Sequence, residues 1–151
     1  MKALITGASS GMGRDMAKIL SQKGYDLILV ARDEKKLEEV KKQLKAETKI
    51  VVMDISKEEN CKKLYEENKD IDILINNAGF GDCGHFEETS LDKDIQMIHT
   101  NIIAYHILTK LYLKEMIKKD SGEILNVASI AGFMPGPLMT TYYSTKNYVV
   151  R

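Results

Sequence analysis

Five short apolar runs recur along the chain, each unbroken rather than alternating with polar residues. They are Lys2–Thr6, Asp26–Ala31, Lys49–Met53, Ile71–Ile75 and Glu123–Val127. A strand with one wet face alternates apolar and polar side chains, whereas a strand covered on both faces does not. β-Branched residues recur in the runs, as strands favour. Helical patterns fill the intervals, and strand, helix, strand, helix is the order of a parallel sheet with right-handed crossovers. The expected fold class is therefore α/β, a doubly wound parallel sheet with helices on both faces. A chain of 151 residues buries roughly 70% of its unfolded surface. With no linker, repeat or low-complexity segment to divide it, residues 1–151 are expected to form one domain.

The helical patterns have readable limits. Met12–Lys23 has helical spacing, and Asp33–Ala46 is rich in Lys, Glu and Leu, as an exposed helix would be. Ser56 is the expected N-cap of a helix over Lys57–Asn68, with Glu59 at the capping-box position. A long helix is expected over Leu91–Lys119. Along it Ile95, Ile98, Ile102, Tyr105, Leu108, Tyr112 and Met116 recur every three or four residues as one apolar stripe. The preferred use of that stripe is core packing; contact with another subunit is the alternative.

Charge and sequence ends bear on partners. With 22 basic and 22 acidic residues the formal net charge is +0, so no bulk attraction to nucleic acid or an anionic membrane is expected. No apolar run approaches bilayer length, and the opening residues Met1–Gly7 are too weakly apolar for a signal peptide. Cys61 and Cys83 lack metal-ligand partners at useful spacing and are read as reduced thiols. His85, His99 and His106 show no metal spacing either. A cytoplasmic protein without a metal is the expectation.

Chemistry begins at Thr6-Gly7-Ala8-Ser9-Ser10-Gly11-Met12-Gly13, between the first strand and the first helix. A strand that turns sharply into a helix presents that helix's free N–H groups to an anion, with about half a positive charge from its dipole. Glycine supplies positive φ and lets the backbone approach a pyrophosphate. The spacing is G-x-x-x-G-x-G rather than G-x-G-x-x-G.

This spacing resembles the T-G-x-x-x-G-x-G fingerprint of the short-chain dehydrogenases/reductases. Further features follow in the order of that family. Asp54 closes the third strand, Asn76-Asn77-Ala78-Gly79 resembles the N-N-A-G motif after the fourth, and Asn101 matches the family's helix asparagine. Ser129 closes the fifth strand, and Tyr142-Tyr143-Ser144-Thr145-Lys146 supplies Y-x-x-x-K. The last motif alone occurs by chance; the set in this order is specific. The resemblance covers nearly the whole chain. It implies a Rossmann-like sheet in the order 3-2-1-4-5 and an oxidoreductase that moves hydride between a nicotinamide dinucleotide and a carbonyl or alcohol. It assigns cofactor contacts to Gly7, Ser9, Ser10, Gly11, Met12, Gly13, Arg32, Asp54, Ile55, Asn77, Ala78, Gly79, Tyr142 and Lys146. The catalytic set it implies is Asn101, Ser129, Tyr142 and Lys146, with a homo-oligomer for a full-length form.

The dinucleotide is read from the end of the second strand. An acid there binds the adenosine 2′-hydroxyl, and a basic residue accommodates a 2′-phosphate. Ala31 occupies the slot where NAD-preferring relatives carry Asp, and Arg32 follows. A guanidinium suits a phosphate dianion. NADP(H) is expected, with NAD(H) as the alternative. Two further readings stay open: Arg32 paired with Glu34 or another surface acid, and Asp33 reaching the ribose.

The residue types suit the reaction. Ketone reduction needs hydride at carbon and a proton at oxygen, and free tyrosine has a pKa of about 10. Tyr142 and Lys146 lie one helical turn apart, so both project on one face, and an ammonium nearby favours phenolate. Only Tyr142, not Tyr143, has that offset. Ser129 would polarise the carbonyl oxygen. The resemblance further assigns Lys146 to the nicotinamide ribose and Asn101 to a water in a proton relay.

Relatives in this family continue beyond the Y-x-x-x-K helix, whereas Arg151 follows Lys146 by five residues. The expectation is a sheet lacking the family's last strands, truncated at the C-terminus, with the fifth strand left as an edge. Three readings follow: a reductase with more chain to come, a non-catalytic NADP(H)-binding fragment, and a truncated inactive product. The loop Gly132–Met139, with Phe133, Leu138 and Met139, points to a partly apolar substrate.

Overall fold

The computed structural model describes residues 1–151. Five strands form one sheet: β1 (Lys2–Thr6), β2 (Asp26–Ala31), β3 (Thr48–Val52), β4 (Ile73–Asn76) and β5 (Glu123–Asn126). All four pairings are parallel, and the spatial order is β3-β2-β1-β4-β5, as expected. Between β1 and β4 the strand order reverses, which is where parallel α/β sheets open a crevice at their carboxyl ends.

Successive residues of one strand enter different cores, the reason the apolar runs do not alternate. Leu4, Ile28 and Val30 face a core with Leu64, Leu74, Leu108 and Tyr112. Ala3, Ile5, Leu27 and Leu29 face the opposite core with Ala17, Leu37 and Val40. Helices α1 (Gly11–Gln22) and α2 (Glu34–Lys41) cover the second core, and α3 (Glu58–Glu67) and the later α5 (Ala104–Lys119) cover the first. β5 is an edge, and its Leu125 is 48% exposed.

Three helical expectations need correction. Ser56 does not cap α3. Lys57 is the N-cap and makes no side-chain bond. Asp54 organises the entry instead: its Oδ1 accepts from Ser56 N at 3.0 Å and its carbonyl accepts from Asn60 Nδ2 at 2.8 Å. α2 ends at Lys41 rather than Ala46, because Ser21 Oγ captures the N–H groups of Lys45 and Ala46 at 2.9 and 3.0 Å.

The long helix is not uniform either. α4 (Leu91–Ile98) passes into a π-helical turn over His99–Ile103 before α5 begins. A π turn inserts one extra residue and rotates the faces on either side of it. The apolar stripe therefore does not stay in register: Tyr105, Leu108, Tyr112 and Met116 are buried, whereas Ile95 is 46% exposed. After β5, a single 3₁₀ turn (Ile130–Gly132) leads to α6 (Thr140–Val150). No helix is long and apolar enough to cross a membrane.

Candidate active site

The first glycine turn is held against the chain after β4 by contacts that allow no side chain. Gly7 has φ +66°, and a Cβ there would stand 2.7 Å from Ala78 Cα. A Cβ on Gly13 would stand 2.3 Å from the Gly7 carbonyl oxygen. Thr6 and Asn77 lace the two segments together. Thr6 Oγ1 accepts from Asn77 N at 3.0 Å and Ala78 N at 3.1 Å, and Asn77 Nδ2 donates to Thr6 O at 3.0 Å and Gly7 O at 3.2 Å. Ser10, the N-cap of α1, makes no side-chain cap bond. The first-turn N–H groups of α1 thus have no side-chain acceptor, and an anion can take that place.

A cleft of about 760 Å³ opens from this turn. It gathers Gly7, Ser9, Ser10 and Met12 from the turn, Arg32 after β2, Asp54 and Ile55 after β3, and Asn77, Ala78 and Gly79 after β4. Gly11 and Gly13 lie in the turn without lining the cleft. The sequence reading missed Met53, Phe80, Thr100 and Lys36, which also line it. Lys36 carried a signal, since it is a further basic residue four positions after Arg32.

Hydrogen bonding and ion pairs bear on two open readings at the cleft. Arg32 is exposed and makes no ion pair with Glu34 or any other acid. Asp33 is the N-cap of α2, accepting from Lys36 N at 3.1 Å, with its other oxygen 3.7 Å from Lys36 Nζ. The acid beside the guanidinium is therefore occupied by its own helix.

Beyond Gly79 the second group of residues begins. Asn101, fully buried in the π turn, accepts from Phe80 N at 3.2 Å and donates to Phe80 O at 2.9 Å. Its Nδ2 also donates to Thr145 Oγ1 at 3.0 Å, and Thr145 in turn donates to Tyr142 O at 2.8 Å. Lys146 is 4% exposed, and its Nζ donates to Val127 O at 2.9 Å. Burial holds the Lys146 ammonium below the usual lysine range. A Cβ on Gly79 would stand 3.0 Å from Asn101 Oδ1 and 3.4 Å from Lys146 Nζ, so this backbone joins the two groups.

Ser129 and Tyr142 complete the set without bonding to each other. Ser129 caps the 3₁₀ turn, its Oγ accepting from Ala131 N at 3.2 Å. Tyr142 packs its ring over Gly81. Tyr143 turns elsewhere, with its ring against the backbone of Gly136. Tyr142, not Tyr143, thus lies against Gly81, and its carbonyl is tied through Thr145 to Asn101. A buried cation on the Val127 carbonyl, a phenol ring against Gly81 and the Ser129 hydroxyl two residues beyond Val127 lie in the segments that follow β4 and β5. Such a set can orient a polar double bond and exchange a proton with it.

The family profile described as short chain dehydrogenase matches residues 1–151. The chain belongs to this family. The chain is 38% identical to a very-long-chain 3-oxoacyl-CoA reductase from Phaeosphaeria nodorum, an alignment covering 97% of the chain and 47% of that relative. Among solved structures it is similar to the bulky-bulky ketone specific alcohol dehydrogenase from Comamonas testosteroni, with 29% identity and a TM-score of 0.92, covering 99% of this chain and 62% of the other. It is equally similar to a short-chain dehydrogenase from Sphingobium yanoikuyae in complex with NADPH, again at 29% identity and TM-score 0.92, covering 99% and 61%. The chain spans about half the length of the curated relatives it matches. Members of the family are oxidoreductases, and the five-stranded parallel sheet of this chain, in the order 3-2-1-4-5, matches theirs.

Proposed function

We propose that this chain forms the cofactor-binding and proton-transferring part of an NADP(H)-dependent reductase acting on a carbonyl or alcohol. The observation that carries the reading is the buried Lys146 ammonium fixed on Val127 O beside Gly79, the residue that also lines the cleft starting on the glycine turn. When bound, a nicotinamide dinucleotide supplies or accepts the hydride.

The chain's own residues do the rest. The α1 N-terminus and the turn Gly7–Gly13 hold the pyrophosphate, with Ser9, Ser10 and Met12 along the cleft. Asp54 and Ile55 hold the adenine, Asp54 through the carboxylate oxygen that Ser56 N does not occupy. Arg32, free of any acid, holds the 2′-phosphate, and Lys36 adds a second positive charge on the same wall. Asn77, Ala78 and Gly79 set the floor. An NAD(H)-selecting site would present a free acid after β2; here Asp33 caps α2.

Ser129 donates to the carbonyl oxygen. Tyr142 holds a proton at its phenol oxygen and delivers it to that oxygen as charge develops. Lys146 favours the phenolate that remains and reaches the ribose hydroxyls. Asn101 fixes α6 through Thr145, and the second lone pair of its Oδ1 is left to accept from a water in the relay. The relatives named for a 3-oxoacyl-CoA and for bulky ketones fit a carbonyl substrate, and exposed Phe133, Met134 and Leu138 fit an apolar one.

The test is NADPH oxidation against a panel of ketones, aldehydes and 3-oxoacyl thioesters by the full translated protein. Carbonyl-dependent oxidation supports the reading. Tight NADPH binding with no turnover on any carbonyl would reduce it to a binding module.

A further inference from the structure

Lys146 has no carboxylate partner, although its surroundings are closed. The elements packed around it supply Asn101 from the π turn, Tyr142 from its own helix and Tyr105 from α5. On α4, Lys93 is paired with Asp82, and Asp94 accepts from Thr89. Burial disfavours an ammonium here, and an uncharged group that faces the ammonium with negative potential opposes that effect.

Tyr105 is placed to do this. It is 3% exposed, and Lys146 Nζ lies over its ring, 5.5 Å from the centroid. Its hydroxyl donates to Val127 O at 3.4 Å, the same carbonyl that accepts from Lys146 at 2.9 Å. A carbonyl oxygen has two lone pairs, so both donors are accommodated. The shared acceptor pins the edge of the ring, and the pinned ring presents its negative face to the ammonium. Burial pushes the Tyr105 phenol above the usual tyrosine range, so it stays a neutral donor and is not itself a counter-ion.

We propose that Tyr105 is a positioning residue for Lys146, its ring face standing in for the missing counter-ion and its hydroxyl sharing the Val127 carbonyl. The consequence for turnover rests on the catalytic reading of Lys146; the contact itself does not. Desolvated cation–π contacts reach about 2 kcal/mol, and one pH unit corresponds to about 1.4 kcal/mol, so loss of the ring should lower the Lys146 titration midpoint by about one unit.

The midpoint is read by NMR of the 151-residue chain with ¹³C at lysine Cε, the Lys146 signal being assigned by its absence in Lys146→Met. Tyr105→Leu should lower the midpoint by about one unit. Tyr105→Phe, which keeps the ring, should stay within about 0.3 of the parent. Because a buried Tyr→Leu change can unfold the chain, a second arm places tetrafluorophenylalanine at position 105, where the ring keeps its shape and loses its negative face. Its midpoint should fall below that of Tyr105→Phe by about one unit. An unchanged midpoint in the fluorinated protein would overturn the proposal, as would a Tyr105→Phe midpoint as low as that of a folded Tyr105→Leu. No turnover enters either arm, so a failure here is distinct from a failure of Lys146 as a catalytic residue.

Discussion

Asn101 Nδ2 donates to Thr145 Oγ1 at 3.0 Å, tying the π turn to the helix that carries Tyr142 and Lys146. The tie continues, because Thr145 donates to Tyr142 O and Asn101 also grips both backbone groups of Phe80. Replacing Asn101 by Ala leaves three groups on two segments, the Phe80 N–H and carbonyl and the Thr145 hydroxyl, without that partner. Each stranded polar group costs about 1–3 kcal/mol, so Asn101→Ala should lower stability by at least about 2 kcal/mol in urea unfolding. A loss below about 0.5 kcal/mol would mean that the segments hold together without it.

The glycine turn makes a second prediction. A Cβ at position 13 meets the Gly7 carbonyl oxygen and Asn77 Nδ2 at 2.3 and 2.6 Å, and neither can retreat without opening the Thr6–Asn77 lacing. Overpacking typically costs about 1–3 kcal/mol. Gly13→Ala should show that loss in urea unfolding and weaken NADPH binding in calorimetry by at least tenfold, roughly 1.4 kcal/mol. Unchanged affinity would detach the turn from the cofactor.

Arg32 should select the cofactor. Charge-assisted bonds to a phosphate contribute about 1.5–3 kcal/mol. Arg32→Ala should therefore weaken NADPH by roughly ten- to a hundredfold while changing NADH little. Equal losses for both, measured by calorimetry, would remove Arg32 from the 2′-phosphate.

The two thiols should differ sharply. Cys61 is fully buried, its Sγ donates to Ile55 O at 3.2 Å, and burial pushes its thiol up to about 12. Cys83 is exposed. The thiolate is the nucleophile, so Cys61 stays protonated and unreactive as pH rises toward that value. Alkylation with iodoacetamide at pH 8, followed by mass spectrometry, should modify Cys83 alone until the chain is unfolded. Modification of both thiols at similar rates would show that the α3 face opens.

How far the sequence reached differs from place to place, for physical reasons. Leu4 and Ile5, or Ile28 and Leu29, are consecutive apolar residues on opposite faces, so unbroken runs were enough to define a sheet covered on both sides. The cleft was legible because most of its residues sit in short motifs at strand ends. What periodicity missed were choices made by contacts distant in sequence. Ser21 stops α2 by capturing Lys45 and Ala46, and Asp54 replaces Ser56 at the entry to α3. The π turn around Asn101 was hidden because one inserted residue leaves an apolar stripe looking continuous. Tyr105 read as core, which it is; its placement against Lys146 depends on α6 packing beside the π turn and α4.

The central claim is that Tyr142 gives the proton to a carbonyl oxygen beside Lys146. Its most direct measurement is carbonyl-dependent NADPH oxidation by the full translated protein, compared with its Tyr142→Phe and Tyr143→Phe forms. Positioned acids contribute about 10²–10⁴ in rate. Tyr142→Phe should lose at least about a hundredfold in kcat with NADPH affinity little changed. Tyr143→Phe, whose ring packs on Gly136, should retain most activity. Retained turnover in Tyr142→Phe, or a hundredfold loss in Tyr143→Phe instead, would contradict the assignment.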